Sequence, residues 1–173
     1  VDRTFNARQP GISRRSLLTL PLLAALRPVV ARGAARTTVT FHAGWSIVAG
    51  PEGTRFAGAS GPLYALGPGD DEYQVLPAGT PVQAGAGYWA YFPEGRALTL
   101  AEGTPYVAID APAAKWLLIG NPSGSRTLPV VGADAVFTFD PLLGSRYTGQ
   151  LLPGQGAWAI SLAGGTIGVG LPG

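Results

Sequence analysis

The chain repeats itself. Laying residues 45–100 over 116–169 pairs features in the same order along the whole stretch. GWSIVAGPEG (44–53) falls on KWLLIGNPSG (115–124), which puts Trp45 on Trp116 and Pro51 on Pro122. LYALGPGDDEY (63–73) falls on VFTFDPLLGSRY (136–147), with Pro68 on Pro141 and Tyr73 on Tyr147. VQAGAGYWAY (82–91) falls on LLPGQGAWAI (151–160), and GRALTL (95–100) on GGTIGV (164–169). All four tryptophans are used, two per copy, at separations of 71 and 69 residues. Anchors matching in order indicate a supersecondary unit that buries its apolar face against a neighbour.

Each copy reads as β. Its segments are short, rich in Val, Ile, Leu, Thr and aromatics, and bounded by Pro-Gly, Asn-Pro or Gly-Gly. Gly and Pro together number 42, yet hydrophobic residues reach 46%, enough for a core between many turns. No long window after Ala35 keeps a helical period without a Gly or Pro break. The expected fold is all-β: two quasi-equivalent units of about five short strands, over 36–103 and 104–173, packed as a pseudo-twofold sandwich or as paired small barrels. WSIVA and WLLIG are apolar on both faces, as in central strands covered on each side.

Alternation splits GYWAYF into a Trp89/Tyr91 face and a Tyr88/Ala90/Phe92 face. The first stays bulky in the second copy as Trp158/Ile160; the second shrinks to Ala157/Ala159/Ser161. A position kept in both copies is expected to pack the core, which makes Trp45, Trp89, Trp116 and Trp158 core anchors. Tyr88 and Phe92 are then the rings least explained by folding. With Tyr64 and Tyr73 behind them, they are the candidates for stacking on a sugar face or a partner side chain. Packing between the two units is the competing role for the same rings.

Signals for catalysis are sparse. The chain has no cysteine, hence no disulfide framework and no thiolate metal site. His42 is the only histidine, so a nucleophile system would depend on it, and no G-x-S-x-G elbow accompanies it. It is expected to be an ordinary strand residue. Gly85-x-Gly87-x-x-Ala90 and Gly154-x-Gly156-x-x-Ala159 fit the dinucleotide fingerprint as strings, but strand rather than helix follows, so they are expected to form tight leads into strands. Asp70-Asp71-Glu72 lacks the alternating carboxylates of a calcium loop and reads as a solvated turn. The other carboxylates weighed for glycosidase chemistry, Glu52, Glu94, Glu102, Asp110, Asp134 and Asp140, stand mostly beside Gly or Pro in turns. No catalytic residue, cofactor or metal ligand is assigned.

Charge is unevenly placed. Residues 1–35 carry six arginines against Asp2, net +5, whereas residues 36–173 carry five arginines and Lys115 against nine carboxylates, net −3. A negative body with scattered arginines lacks the footprint of a nucleic-acid binder. The basic stretch has the form of an export signal. Arg14-Arg15 closes a basic region, an apolar run spans Leu17–Leu26, and Gly33 and Ala35 suit a cleavage site after Ala35. Ser13-Arg14-Arg15-Ser16-Leu17-Leu18 is similar to the twin-arginine signature, although Arg27 and Leu17 depart from it; a general secretory signal is the alternative. The run is too short to span a bilayer, so membrane contact is expected only through an uncleaved signal.

KWLLIGNPSG … VFTFDPLLGSRY … LLPGQGAWA … GGTI resembles a tandem Trp-anchored β-repeat module of exported bacterial surface and secreted proteins. Its motifs run Gly-Trp-Asn-Leu-Ile-Gly-Asn-Pro, Tyr-Asp-Pro and Pro-Gly-Gln-Gly-Tyr-Trp. The resemblance covers nearly all of 38–169; Ser46, Gly50 and Ala86 of the first copy stand where Asn, Asn and Gln are usual. It implies architecture and an extracytoplasmic location, and no reaction. The expected function is a non-catalytic module of the cell envelope that binds a glycan or an envelope protein. The alternatives are a secreted hydrolase with a shallow carboxylate site on the turns, and a purely structural envelope component.

Overall fold

The computed structural model describes residues 36–173. The expected export signal, its Arg14-Arg15 pair and the cleavage site near Ala35 lie outside the described residues. Among the described residues, fourteen strands form four antiparallel sheets in two similar halves. The first half holds β1 (Thr37–Phe41), β2 (Gly44–Val48), β3 (Ser60–Ala65), β4 (Gln74–Leu76), β5 (Tyr88–Phe92) and β6 (Arg96–Leu100). The second holds β7 (Tyr106–Ala111), β8 (Lys115–Gly120), β9 (Leu128–Val131), β10 (Ala135–Asp140), β11 (Gly144–Tyr147), β12 (Gln150–Leu151), β13 (Gly156–Ser161) and β14 (Gly165–Gly170).

The sheet β2-β5-β3-β4 recurs as β8-β13-β10-β11, and the β1–β6 pair recurs as β7–β14. The strand number departs from about five each, because β9 and β12 widen the β7–β14 layer. In the first half the chain near Val82 makes only a local pair: Gly53 N–H donates to Val82 C=O and Val82 N–H to Thr54 C=O, both at 2.9 Å.

Each half has its own core, and the two are filled differently. In the first, Phe41 stacks on Phe92 at 4.9 Å and meets Phe56 edge-on at 5.6 Å. The second is aliphatic, built on Ile119, Leu151, Ile167 and Val169. Register explains the exchange. Phe41 lies opposite Arg96 on β6 and Ala111 opposite Gly165 on β14, so Phe41 and Ala111 are counterparts, as are Phe92 and Ser161. Both members of the stacked pair shrink together. Tyr88 (3% exposed) and Phe92 (0%) are therefore core residues, not free rings, and full burial of such a side chain contributes about 1.5–3 kcal/mol.

Residues 46–49 and 117–120 are buried, but Trp45 and Trp116 at the head of each string are exposed, and β2 and β8 lie at the ends of their sheets rather than the centre. What covers them is the other half. Ala49 N–H donates to Gly154 C=O at 3.0 Å, and Gly120 N–H donates to Gly85 C=O at 2.8 Å. Val48 bridges Gln155, and Ile119 bridges Ala86. Each contact has its counterpart with the halves exchanged, which is the signature of a pseudo-twofold.

This junction accounts for the repeated Gly-x-Gly. Gly85 and Gly154 turn the chain at φ +85° and +82°. A Cβ on Gly87 would stand 2.4 Å from the carbonyl oxygen of Ile119, and one on Gly156 2.9 Å from that of Val48. The second glycine of each string leaves room for the backbone of the opposite half.

Candidate functional site

The outer faces of the two four-stranded sheets form the site. The pleat sends alternate side chains to opposite faces, so with Tyr88, Ala90 and Phe92 inward, Trp89 and Tyr91 point out. Trp45 lies opposite Tyr91, and Tyr64 opposite Trp89, on the same face. In the second half Trp116 lies opposite Ile160, and Phe137 opposite both Trp158 and Tyr147. Trp45 is 44% exposed and Trp116 41%. The tryptophans are thus not core anchors. The opposite face already fills the core, and the rings pack on one another over the outer surface.

The register also moves one alignment by two residues. Tyr64 faces Val75 on β4, while Phe137 faces Tyr147 on β11. Tyr147 corresponds to Val75, and Tyr73 corresponds to Ser145.

Two shallow troughs open on this surface. One, of about 460 Å³, is lined by Trp45, Tyr64, Tyr73, Trp89 and Phe139. The other, of about 480 Å³, is lined by Trp116, Phe137, Ser145, Trp158 and Leu66. They match position for position: Trp45 with Trp116, Tyr64 with Phe137, Tyr73 with Ser145, Trp89 with Trp158, Phe139 with Leu66. The last pair is exchanged between halves, so each trough is completed by a residue of the other half. The rings form one continuous chain of edge and tilted contacts. It runs from Tyr147 through Phe137, Trp116 and Trp158 to Tyr73, then through Tyr64 to Trp45, at centroid steps of 5.7–6.3 Å. Trp89 meets Phe139 at 5.1 Å across the junction.

Among the described residues, no carboxylate, lysine, arginine or histidine lines either trough. Four of the nine carboxylates in residues 36–173 accept loop N–H groups instead. Glu52 accepts Ala84 N–H at 2.7 Å and Asp134 accepts Leu162 N–H at 2.6 Å. Asp140 accepts from Leu142 and Leu143 N–H at 2.8 and 3.1 Å, and Asp70 from Gly67 N–H at 2.7 Å. Asp71 pairs with Lys115 at 2.6 Å; that hydrogen bond, then the ammonium charge, holds its carboxyl below the usual range. Burial pushes the Tyr88 phenol up, opposed by the hydrogen bond that its oxygen accepts from Gln83 N–H at 3.0 Å. His42 is exposed in the turn after β1, not within a strand.

Of the four rings singled out from sequence, Tyr64 and Tyr73 line a trough and Tyr88 and Phe92 do not. Trp45, Trp89, Trp116, Trp158, Phe137, Phe139, Ser145 and Leu66 were not binding candidates, although the doubly apolar alternation around each tryptophan was the available signal. Compared with known proteins, the chain matches no family model, no curated protein sequence and no solved structure. The chemistry of the surface therefore rests on its own geometry. Open walls of flat rings, with indole N–H, phenol and serine hydroxyl groups as their polar features, can stack on an uncharged ring and hydrogen-bond its rim.

Proposed function

We propose that this protein is an exported, non-catalytic module of the cell envelope that binds a glycan through its aromatic outer face. The observation that carries the reading is the pair of matching troughs walled by half-exposed tryptophans. A soluble fold has no need to leave such rings contiguous and uncovered, and patches of this kind mark interaction sites. The C–H faces of a sugar ring carry the partial positive charge that the negative face of an aromatic ring attracts. The described lining residues are all uncharged, which favours an uncharged ligand. Two copies of one shallow site suit a ligand that itself repeats, as a polysaccharide does and a folded protein surface does not. Nucleic acid, which also stacks on aromatic rings, needs a cationic track that these troughs lack. Export is supported by the Arg14-Arg15 leader and by the resemblance to modules of exported proteins. Glu52, Asp134 and Asp140 are committed to loop hydrogen bonds, which speaks against those three as the carboxylates of the hydrolase alternative.

The test is a titration of intrinsic tryptophan fluorescence against a panel of neutral polysaccharides, with an envelope pull-down in parallel. Binding that is lost in Trp45→Ala and Trp116→Ala, with the near-ultraviolet circular dichroism of folded protein retained, supports the reading. Capture of a protein with no glycan response, or turnover of any polysaccharide, overturns it.

A further inference from the structure

The two troughs differ at one position that decides whether they are separate. Tyr73 sits at the end of the loop joining β3 to β4, beside Tyr64 at 6.3 Å, and its ring also meets Trp158 of the other half at 6.0 Å. It is the ring that joins the walls of both troughs. Its counterpart Ser145 carries no ring, and at the twofold-related junction Trp89 meets Phe139 instead, at 5.1 Å. The loop that bears Tyr73 is held to the second half. Asp71, two residues earlier, takes the 2.6 Å ion pair from Lys115, which directly precedes Trp116. The second copy has Leu142-Leu143-Gly144 in this region and nothing comparable to that latch.

We infer that the troughs act as one extended site holding a single uncharged glycan chain across both halves, with Tyr73 as the bridging, specificity-determining residue. The inference rests on the glycan-binding reading above. A further property follows from the pseudo-twofold. A chain crossing both troughs meets the second one in the reverse sense, so hydrogen bonds specific for chain direction cannot be satisfied equally in both. Stacking on ring faces is indifferent to direction. Recognition should therefore fall on internal segments of a chain rather than on its reducing or non-reducing end.

The experiment uses the full chain and ladders of β-1,4-linked glucose and β-1,4-linked N-acetylglucosamine oligomers, from disaccharide to octasaccharide. Tryptophan fluorescence gives affinity and calorimetry gives stoichiometry. In the wild type, affinity should rise roughly a hundredfold once an oligomer reaches from one trough to the other, as linkage of two weak sites predicts. One long oligomer should bind per chain, and reduction of its terminal aldehyde should change nothing. Tyr73→Ser should weaken the octasaccharide far more than the disaccharide. Ser145→Tyr, which adds to the second trough the ring that Tyr73 gives the first, should tighten the octasaccharide.

Affinity independent of length but still lost in Trp45→Ala would overturn the bridged site and leave glycan binding standing. Two long oligomers per chain, or equal losses at every length in Tyr73→Ser, would overturn it in the same way. Absence of binding to every member of both ladders counts against the bridged site and the glycan reading together.

Discussion

Gly87→Ala tests the closeness of the two halves directly. Gly87 does not have a positive φ, so an alanine meets no backbone strain there and the effect is steric. The new methyl would lie 2.4 Å from the Ile119 carbonyl oxygen and 3.0 Å from its carbon, both backbone atoms that no side-chain rotation can move. The halves must separate locally, against the 3.1 Å hydrogen bond from Gly87 N–H to Leu118 C=O and the 2.8 Å bond from Gly120 N–H to Gly85 C=O. Overpacking of this kind costs about 1–3 kcal/mol, and a weakened hydrogen bond about 1 kcal/mol more. The smaller entropy of the unfolded alanine chain returns about 0.4–1 kcal/mol. A net loss of about 1–3 kcal/mol lowers the melting temperature by roughly 2–4 °C per kcal/mol in a domain of this size. Gly149→Ala is the control: that glycine is exposed, also lacks a positive φ, and has nothing near a new Cβ. Gly156→Ala should fall between them, because one of its two close neighbours is the Cγ2 methyl of Ile47. Thermal and urea unfolding should rank Gly149→Ala at or above wild type, then Gly156→Ala, then Gly87→Ala. The double variant should lose less than the sum, since both substitutions open the same junction. If Gly87→Ala proved as stable as Gly149→Ala, the close approach of the halves would be refuted.

Three further outcomes follow from the same packing. Phe92→Ala should cost about 3–5 kcal/mol in urea unfolding, whereas Trp45→Ala, which removes a half-exposed ring, should cost markedly less; the reverse order would show the two faces misassigned. Asn121→Ala should cost about 1–3 kcal/mol by the same measurement. It leaves the carbonyls of Arg126 and Leu151, each 2.8 Å from Nδ2, and the Ser123 N–H without their partner. Tyr88 should ionise at higher pH than an ordinary tyrosine in an ultraviolet titration. The unfolded chain then releases that proton first, so stability should fall as pH rises above about 10, and Tyr88→Phe should flatten the fall; a stability independent of alkaline pH would contradict its burial.

The duplication was legible because it is carried by punctuation. Pro68 and Pro141 and the paired Gly-x-Gly strings occupy matching turns, and turn chemistry is local. The one pairing that slipped, Tyr73 on Tyr147, lies in a loop where spacing is free and only the hydrogen-bond register can align the copies. The candidate site was read with its faces inverted. Alternation separated Trp89/Tyr91 from Tyr88/Phe92 correctly, but both sets are apolar, and period alone cannot say which one turns inward. Constancy between copies misled for a physical reason. Two cores need only be filled, so Phe41 with Phe92 can give way to Ala111 with Ser161, while Trp45, Trp89 and Tyr64 on the open face stay aromatic as Trp116, Trp158 and Phe137.

Strand content, the paired halves and the turn glycines were written into local pattern, since backbone sterics and side-chain alternation act over a few residues. Which face is covered, the reciprocal contacts of Ala49 with Gly154 and Gly120 with Gly85, and the troughs completed by Phe139 and Leu66 from opposite halves emerged only from assembly. Those features join residues far apart in the chain through close packing, and the linear order of residues carries no distance between them.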